Sequence, residues 1–281
     1  MTINRSRLFQ AFKYTVYVLL VMNIYWFYAE ESSAAALQFA NGIDFTDLIE
    51  AYSATIDTAA WVVLLLMFEL ETYVLDDEQF TKGVTRNLHG LRVLCYAFIV
   101  YAFYGYIANL TFHYETTMLP GVTDVCALLA DRWSWAVTLD EYVELTAANC
   151  AAVSDASVFY RFRDMMAVVD AEGLTNIRYL AWVDVINAGV WLLVVMLLET
   201  DVRLQEKDRF EGLALRLSTI AKFVLYSLLL LAAIYWGLKG DFVDFWDAFL
   251  WLVAFVFIEL NVFEWRQEEH QALEAEAIAE K

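Results

Sequence analysis

Apolar residues fall along this chain in six long runs, approximately Tyr14 to Tyr28, Thr58 to Leu75, Val93 to Phe112, Leu180 to Leu198, Phe223 to Leu238 and Phe242 to Phe263. A hydrocarbon core of roughly 30 Å takes about 20 apolar residues in a helix, so the pattern predicts six transmembrane helices. The second and sixth runs reach that length only by including acidic residues.

Those acids recur at fixed spacing. Asp57, Trp61, Glu69 and Glu71 are followed by Asn187, Trp191, Glu199 and Asp201, and then by Asp247, Trp251, Glu259 and Asn261. The helix preceding each copy carries a base with Tyr four residues later: Lys13 with Tyr17, Arg92 with Tyr96, and Lys222 with Tyr226. Self-similarity of this kind is read before any other signal, because it decides the architecture. The predicted fold class is therefore an all-α polytopic membrane protein, its six helices forming three pseudo-repeated hairpins with a helical extracytoplasmic cap.

The hairpins divide the chain at residues 1–91, 92–215 and 216–281. The first includes an outer amphipathic loop, the second an outer insertion over 114–179, and the third an acidic cytoplasmic tail. Within the insertion, Val122 to Ala130, Leu139 to Ala148 and Val158 to Val169 are expected to be short helices capping the bundle. Asp76 to Leu91 is expected as a polar connector, with His89 a solvated residue rather than a ligand.

Composition agrees with a membrane protein: 61% of the 281 residues are hydrophobic, 16% aromatic, and there is one proline. The formal charge of -19 comes mostly from acids between the apolar runs. Nothing supplies the basic face that nucleic acid needs, so that partner class is excluded. Orientation follows from lysine and arginine. With the N-terminus inside, only Arg132, Arg161, Arg163, Arg178 and Lys239 of the 18 basic residues fall outside. The location implied is a bacterial-type inner (plasma) membrane, multi-pass, with both termini cytoplasmic. Arg5, Arg7 and Lys13 ahead of the first run also fit a cleavable signal, but the bulky Tyr25-Trp26-Phe27-Tyr28 end favours a retained helix.

A charge in hydrocarbon costs about 2.5 to 3.5 kcal/mol on insertion scales, so these acids are expected to face the protein interior and find partners. The predicted ion-pair partners are Lys13, Arg92 and Lys222, set against Glu69, Glu199 and Glu259 at the same depth. Glu69, Glu71, Glu199, Asp201, Glu259, Asp57, Asp184 and Asp247 are the candidate residues of an ion pathway. Passage of a cation or proton is one reading; a non-transporting scaffold that binds a protein partner through its cap or tail is the other. No catalytic role, cofactor or metal is assigned, because no nucleophile elbow, phosphate loop or ligand set is present. Expected partners are the lipid bilayer and a second copy or another membrane protein. Cys126 and Cys150 fall on the outer side, where disulfides persist, as a bonded pair or as two buried thiols.

Overall fold

A computed structural model describes residues 5–39, 42–45, 47–71, 75, 81–205 and 212–255. The protein is mostly helical, with one small sheet. Its helices are α1 (Arg5–Gln38), α2 (Leu48–Ala51), α3 (Ser53–Glu69), α4 (Lys82–Phe112), α5 (Cys150–Val153), α6 (Ala171–Gln205), α7 (Leu213–Lys239) and α8 (residues 242–255). Four contain segments long and apolar enough to cross a membrane: Leu8–Gln38, Lys82–Phe112, Ala171–Asp201 and Leu213–Lys239. The second and sixth predicted spans fall outside this group. Helix α3 has 17 residues, about 26 Å at 1.5 Å per residue, which is short of a hydrocarbon core. Helix α8 is described only to residue 255.

Local chemistry sets the helix ends. Thr81 caps α4, its hydroxyl accepting from Val84 N, so the helix begins well inside the connector expected over Asp76 to Leu91. His89 therefore lies on α4, exposed, with Nδ1 2.8 Å from Thr85 O. Gly240 ends α7 with φ of 84°, its N–H donating to Trp236 O, and the chain turns straight into α8. Helix α3 is capped by a distant residue: Glu31, 5% exposed on α1, accepts from Ala54 N, Thr55 N and Thr55 Oγ1 at 2.7, 3.0 and 2.6 Å. A carboxylate there satisfies amides with no intrahelical partner and lies at the positive end of the helix dipole.

Packing follows sequence order around a circle. Helix α1 packs on α3, α3 on α4, α4 on α6 and α6 on α7, and Phe245 of α8 lies against Gly237 of α7. Asn23 Nδ2 of α1 donates to Asp247 Oδ1 of α8 at 2.8 Å and so closes the ring. Gly105 of α4 is where α2 comes closest. A Cβ added there would meet Ile49 O at 2.5 Å and Ser53 Cβ at 2.9 Å. Because the obstacle is backbone, Gly105→Ala is expected to lower stability by about 1–3 kcal/mol, read as a fall in thermal midpoint in detergent against a Gly90→Ala control, where nothing lies within 4 Å and the better helix former should hold or raise the midpoint.

The cap corrects the all-helical expectation. It is built on a five-stranded sheet of order β1-β4-β5-β2-β3, with β1 Thr116–Met118, β2 Ser134–Ala136, β3 Tyr142–Glu144, β4 Phe159–Phe162 and β5 Ala167–Asp170. Of the three expected helices, only the first becomes helical, as a 3-10 turn over Val125–Asp131. Leu139 to Ala148 holds β3, and Val158 to Val169 holds the antiparallel pair β4 and β5. Phe159, Tyr160, Phe162, Val168 and Val169 are residue types that favour a pleated surface, and Asp164 takes the left-handed conformation (φ 56°) in the bend between them. Cys126 and Cys150 form a disulfide, with Cα atoms 5.2 Å apart, tying the 3-10 turn to α5. Strand β5 runs directly into α6, where Asp170 Oδ1 accepts from Gly173 N at 2.8 Å. The cap is thus continuous with the longest helix of the bundle.

Candidate functional site

Three levels of polar and aromatic residues lie along the bundle. Farthest from the cap are the ion pairs. Lys13 Nζ is 2.6 Å from Glu69 Oε1, and both residues are buried; Tyr14 and Tyr17 donate to the same carboxylate at 3.0 and 3.3 Å. Arg92 meets Glu71 at 2.6 Å and Lys222 meets Asp201 at 2.8 Å. Ser218 Oγ also donates to Asp201, at 2.6 Å. In the last two pairs a base joins an acid near the end of the preceding helix, fastening one helix to the next around the ring.

Glu199 departs from expectation. It does not reach Lys13, Arg92 or Lys222; it is 45% exposed and lies 3.5 Å from Arg203, one turn away on its own helix. Two residues in a helix turn about 200°, so with Asp201 facing α7, Glu199 looks outward. At the end of α3, Leu70 and Glu71 lie in a widened π turn, and there Glu69 and Glu71 both find bases. Glu259 and Asn261 lie outside the described residues, so the expected glutamate layer is described at two of its three positions, and those two do not meet.

The middle level is aromatic. Trp61, Trp191 and Trp251 form a triangle, with ring centroids 5.9 Å apart for Trp61 and Trp191, 6.2 Å for Trp61 and Trp251, and 6.5 Å for Trp191 and Trp251. Tilted and edge-on contacts at such distances are the favoured geometry for aromatic rings. Phe255 packs on Trp191 at 4.6 Å. The three rings come from α3, α6 and α8 and close the axis of the bundle.

Between this triangle and the cap lies a cavity of about 40 Å³, which the three tryptophans line together with Asp57, Asp184, Asp244, Asp247, Asn187 and Tyr106. At 10–15 Å³ of such volume per water, it holds roughly three waters. Among the described residues, no lysine or arginine lines it. The carboxylates accept instead from neutral donors. Tyr106 OH donates to Asp57 Oδ2 at 3.4 Å, Trp236 Nε1 to Asp184 Oδ1 at 3.2 Å, and Asn23 Nδ2 to Asp247 Oδ1 at 2.8 Å. Asn187 has a buried Oδ1 without a partner among the described residues, an acceptor of the kind that buried water satisfies.

The chamber unites Asp57, Asp184 and Asp247 from the sequence reading and adds four residues that reading did not single out as site residues: Asp244, Tyr106, Trp236 and Asn23. Asp241, Asp244 and Asp247 at three-residue intervals were the available signal for the first; the aromatic donors carry none, since tyrosine and tryptophan are frequent at membrane depth for packing alone. Glu69, Glu71, Glu199 and Asp201 lie at the other end of the bundle, on the far side of the tryptophan triangle. Among the described residues, no three carboxylate, histidine or cysteine side chains converge closely enough to ligate a metal ion.

Compared with protein-family models, curated proteins and solved structures, the chain matches none. What the arrangement can do therefore rests on its chemistry. Carboxylates in a low-dielectric surround, without a base, need a proton, a cation or water to be compensated. Here they share one small polar space that ends on an aromatic floor.

Proposed function

We propose that this protein is a six-span membrane protein of three pseudo-repeated hairpins, and that its chamber aspartates take up protons from the cap side for passage across the membrane. The observation carrying this is the chamber itself: four aspartates with no base among the described residues that line it, in a space of a few waters, directly above the tryptophan triangle. Three features support the repeated hairpins. Trp61, Trp191 and Trp251 hold equivalent places in the sequence pattern and touch one another. Asp57, Asn187 and Asp247, also equivalent, line the same cavity. Arg92 and Lys222 each pair with the second acid of the hairpin before. The hairpins are residues 1–91, 92–215 and 216–281, in a bacterial-type inner membrane with both termini cytoplasmic and the cap outside.

A proton suits the chamber better than a metal cation, because its volume and its scattered ligands do not form a coordination shell. Glu69, Glu71 and Asp201, each salt-bridged, serve as staples rather than as the conducting layer. The second reading is a scaffold that moves nothing and binds another membrane protein or a second copy through its cap; the tight packing of the triangle favours it. Proteoliposomes with a pH-sensitive dye inside separate the two. Transport predicts acidification when the outside is acidified, largely lost in Asp247→Asn and insensitive to replacing sodium by potassium. A scaffold predicts no flux above empty vesicles.

A further inference from the structure

The turn between β2 and β3 packs onto the bundle through Leu139 and carries a half-buried acid beside it. Val137 N donates to Glu141 O at 2.9 Å, Glu141 N to Thr138 Oγ1 at 3.2 Å and Tyr142 OH to Leu139 O at 3.0 Å, so residues 137–142 brace themselves. Leu139, 3% exposed, is the apolar tip; it joins the cluster that contains Leu37 of α1, Trp236 of α7 and Phe245 and Ala248 of α8. Asp140 follows Leu139 directly, so seating the leucine brings the carboxyl with it.

That carboxyl feels the charge of Asp241 in the turn after Gly240, and its own charge is felt by Glu30 and Glu31 on α1, Asp184 on α6, Asp244 on α8 and Tyr142 on the cap itself. Lys239, the base at this end of α7, gives its Nζ to Asn176 Oδ1 at 2.7 Å and lies over the Tyr235 ring. Asp184 and Asp244 also line the chamber, so the acids around the turn are continuous with those of the cavity.

We infer that the β2–β3 turn is a proton-controlled latch on the chamber, seated while the acids around Asp140 carry protons and lifted by their mutual repulsion once they ionise. Leu139 supplies the closing contact and the carboxyls supply the opening force. The electrostatics give the sign. Burial, and then the charge of Asp241, push the Asp140 carboxyl up from 3.8 to about 7; burial also raises Asp241. An acid raised on folding contributes its full stabilisation below its unfolded value and loses it as the pH climbs through the folded one. Seating therefore weakens across pH 4 to 7 and is weakest above that window.

What the latch regulates rests on the chamber reading, but its test reads the turn alone. Spin labels on Val137→Cys and Leu238→Cys, both exposed in the native protein, report the distance between the turn and the end of α7 in the full chain in nanodiscs. At pH 5 one narrow distance is expected; at pH 8 a longer component should hold the majority of molecules. Adding Asp140→Asn, or separately Asp241→Asn, should keep the short distance dominant at pH 8. An identical distribution at both pH values, or a pH response unchanged by both substitutions, overturns the latch. Flux with a fixed turn would sink the latch alone, whereas a pH-dependent turn without flux would sink only the chamber's role in transport.

Discussion

Lys13→Ala should remove most of the folded protein from the membrane, whereas Lys13→Ala with Glu69→Ala should recover much of it. Lys13 and Glu69 are 4% and 5% exposed and meet at 2.6 Å. Taking away the lysine leaves an ionised carboxylate buried without its counter-charge, a change that costs about 3–5 kcal/mol elsewhere. The hydroxyls of Tyr14 and Tyr17 remain as donors, which places the expected loss near 3 kcal/mol, still a large part of the 5–15 kcal/mol that holds a typical domain. The double substitution removes both charges, leaving lost packing and the loss of the carboxylate that accepts from Tyr14 and Tyr17. Detergent unfolding midpoints of the wild type, both single variants and the double variant complete the cycle. Additive effects would show that the pair is not coupled and that the staple reading is wrong. Arg92 and Glu71, 34% and 24% exposed in their side chains, should show a much weaker coupling, because water screens a half-exposed pair.

Trp191→Ala should be comparably damaging to the fold and should act on flux in the opposite sense from the chamber substitutions. The Trp191 ring is 7% exposed and touches Trp61, Trp251 and Phe255. Deleting a buried tryptophan costs about 3–5 kcal/mol. In a bilayer that cost comes through lost van der Waals contacts, since lipid competes equally for apolar surface. The same deletion opens the floor of the chamber. Thermal midpoints should fall, and proton entry into proteoliposomes should rise in whatever protein remains folded. Trp191→Phe should keep the floor closed and lose less stability. A Trp191→Ala protein with the wild-type midpoint would mean that the triangle bears no packing load.

Much of this site was legible because a polar residue inside an apolar run has few reasons to be there. Asp184 and Asp247 stood out on that ground and Asp57 by opening the repeated spacing, and the recurrence at Trp61, Trp191 and Trp251 marked positions that meet in space. Spacing alone did not resolve which acid of each closely spaced pair turns inward. Glu199 and Asp201 differ by two residues, and the helix turns one toward Lys222 and the other toward solvent, while the π turn at Leu70 and Glu71 lets both acids of the first pair find bases. The cap was legible as an outer insertion but not as a sheet. Its strands are three or four residues long, too short for a period of two to declare itself against a helical one. The reach of Glu31 across to α3 and the packing of Leu139 onto the bundle are tertiary contacts, which no local pattern encodes.

On the proposed proton path, the aspartate chamber and the tryptophan floor lie in series. Proton entry into proteoliposomes, compared among the wild type, Asp57→Asn, Trp191→Ala and the pair combined, tests it most directly. The expected order is faster than wild type for Trp191→Ala, slower for Asp57→Asn, and slow for the combination, because an open floor cannot help a path whose chamber has lost its carboxylate. Entry that stays as fast in the combined variant as in Trp191→Ala, or an Asp57→Asn rate equal to wild type, would contradict the account.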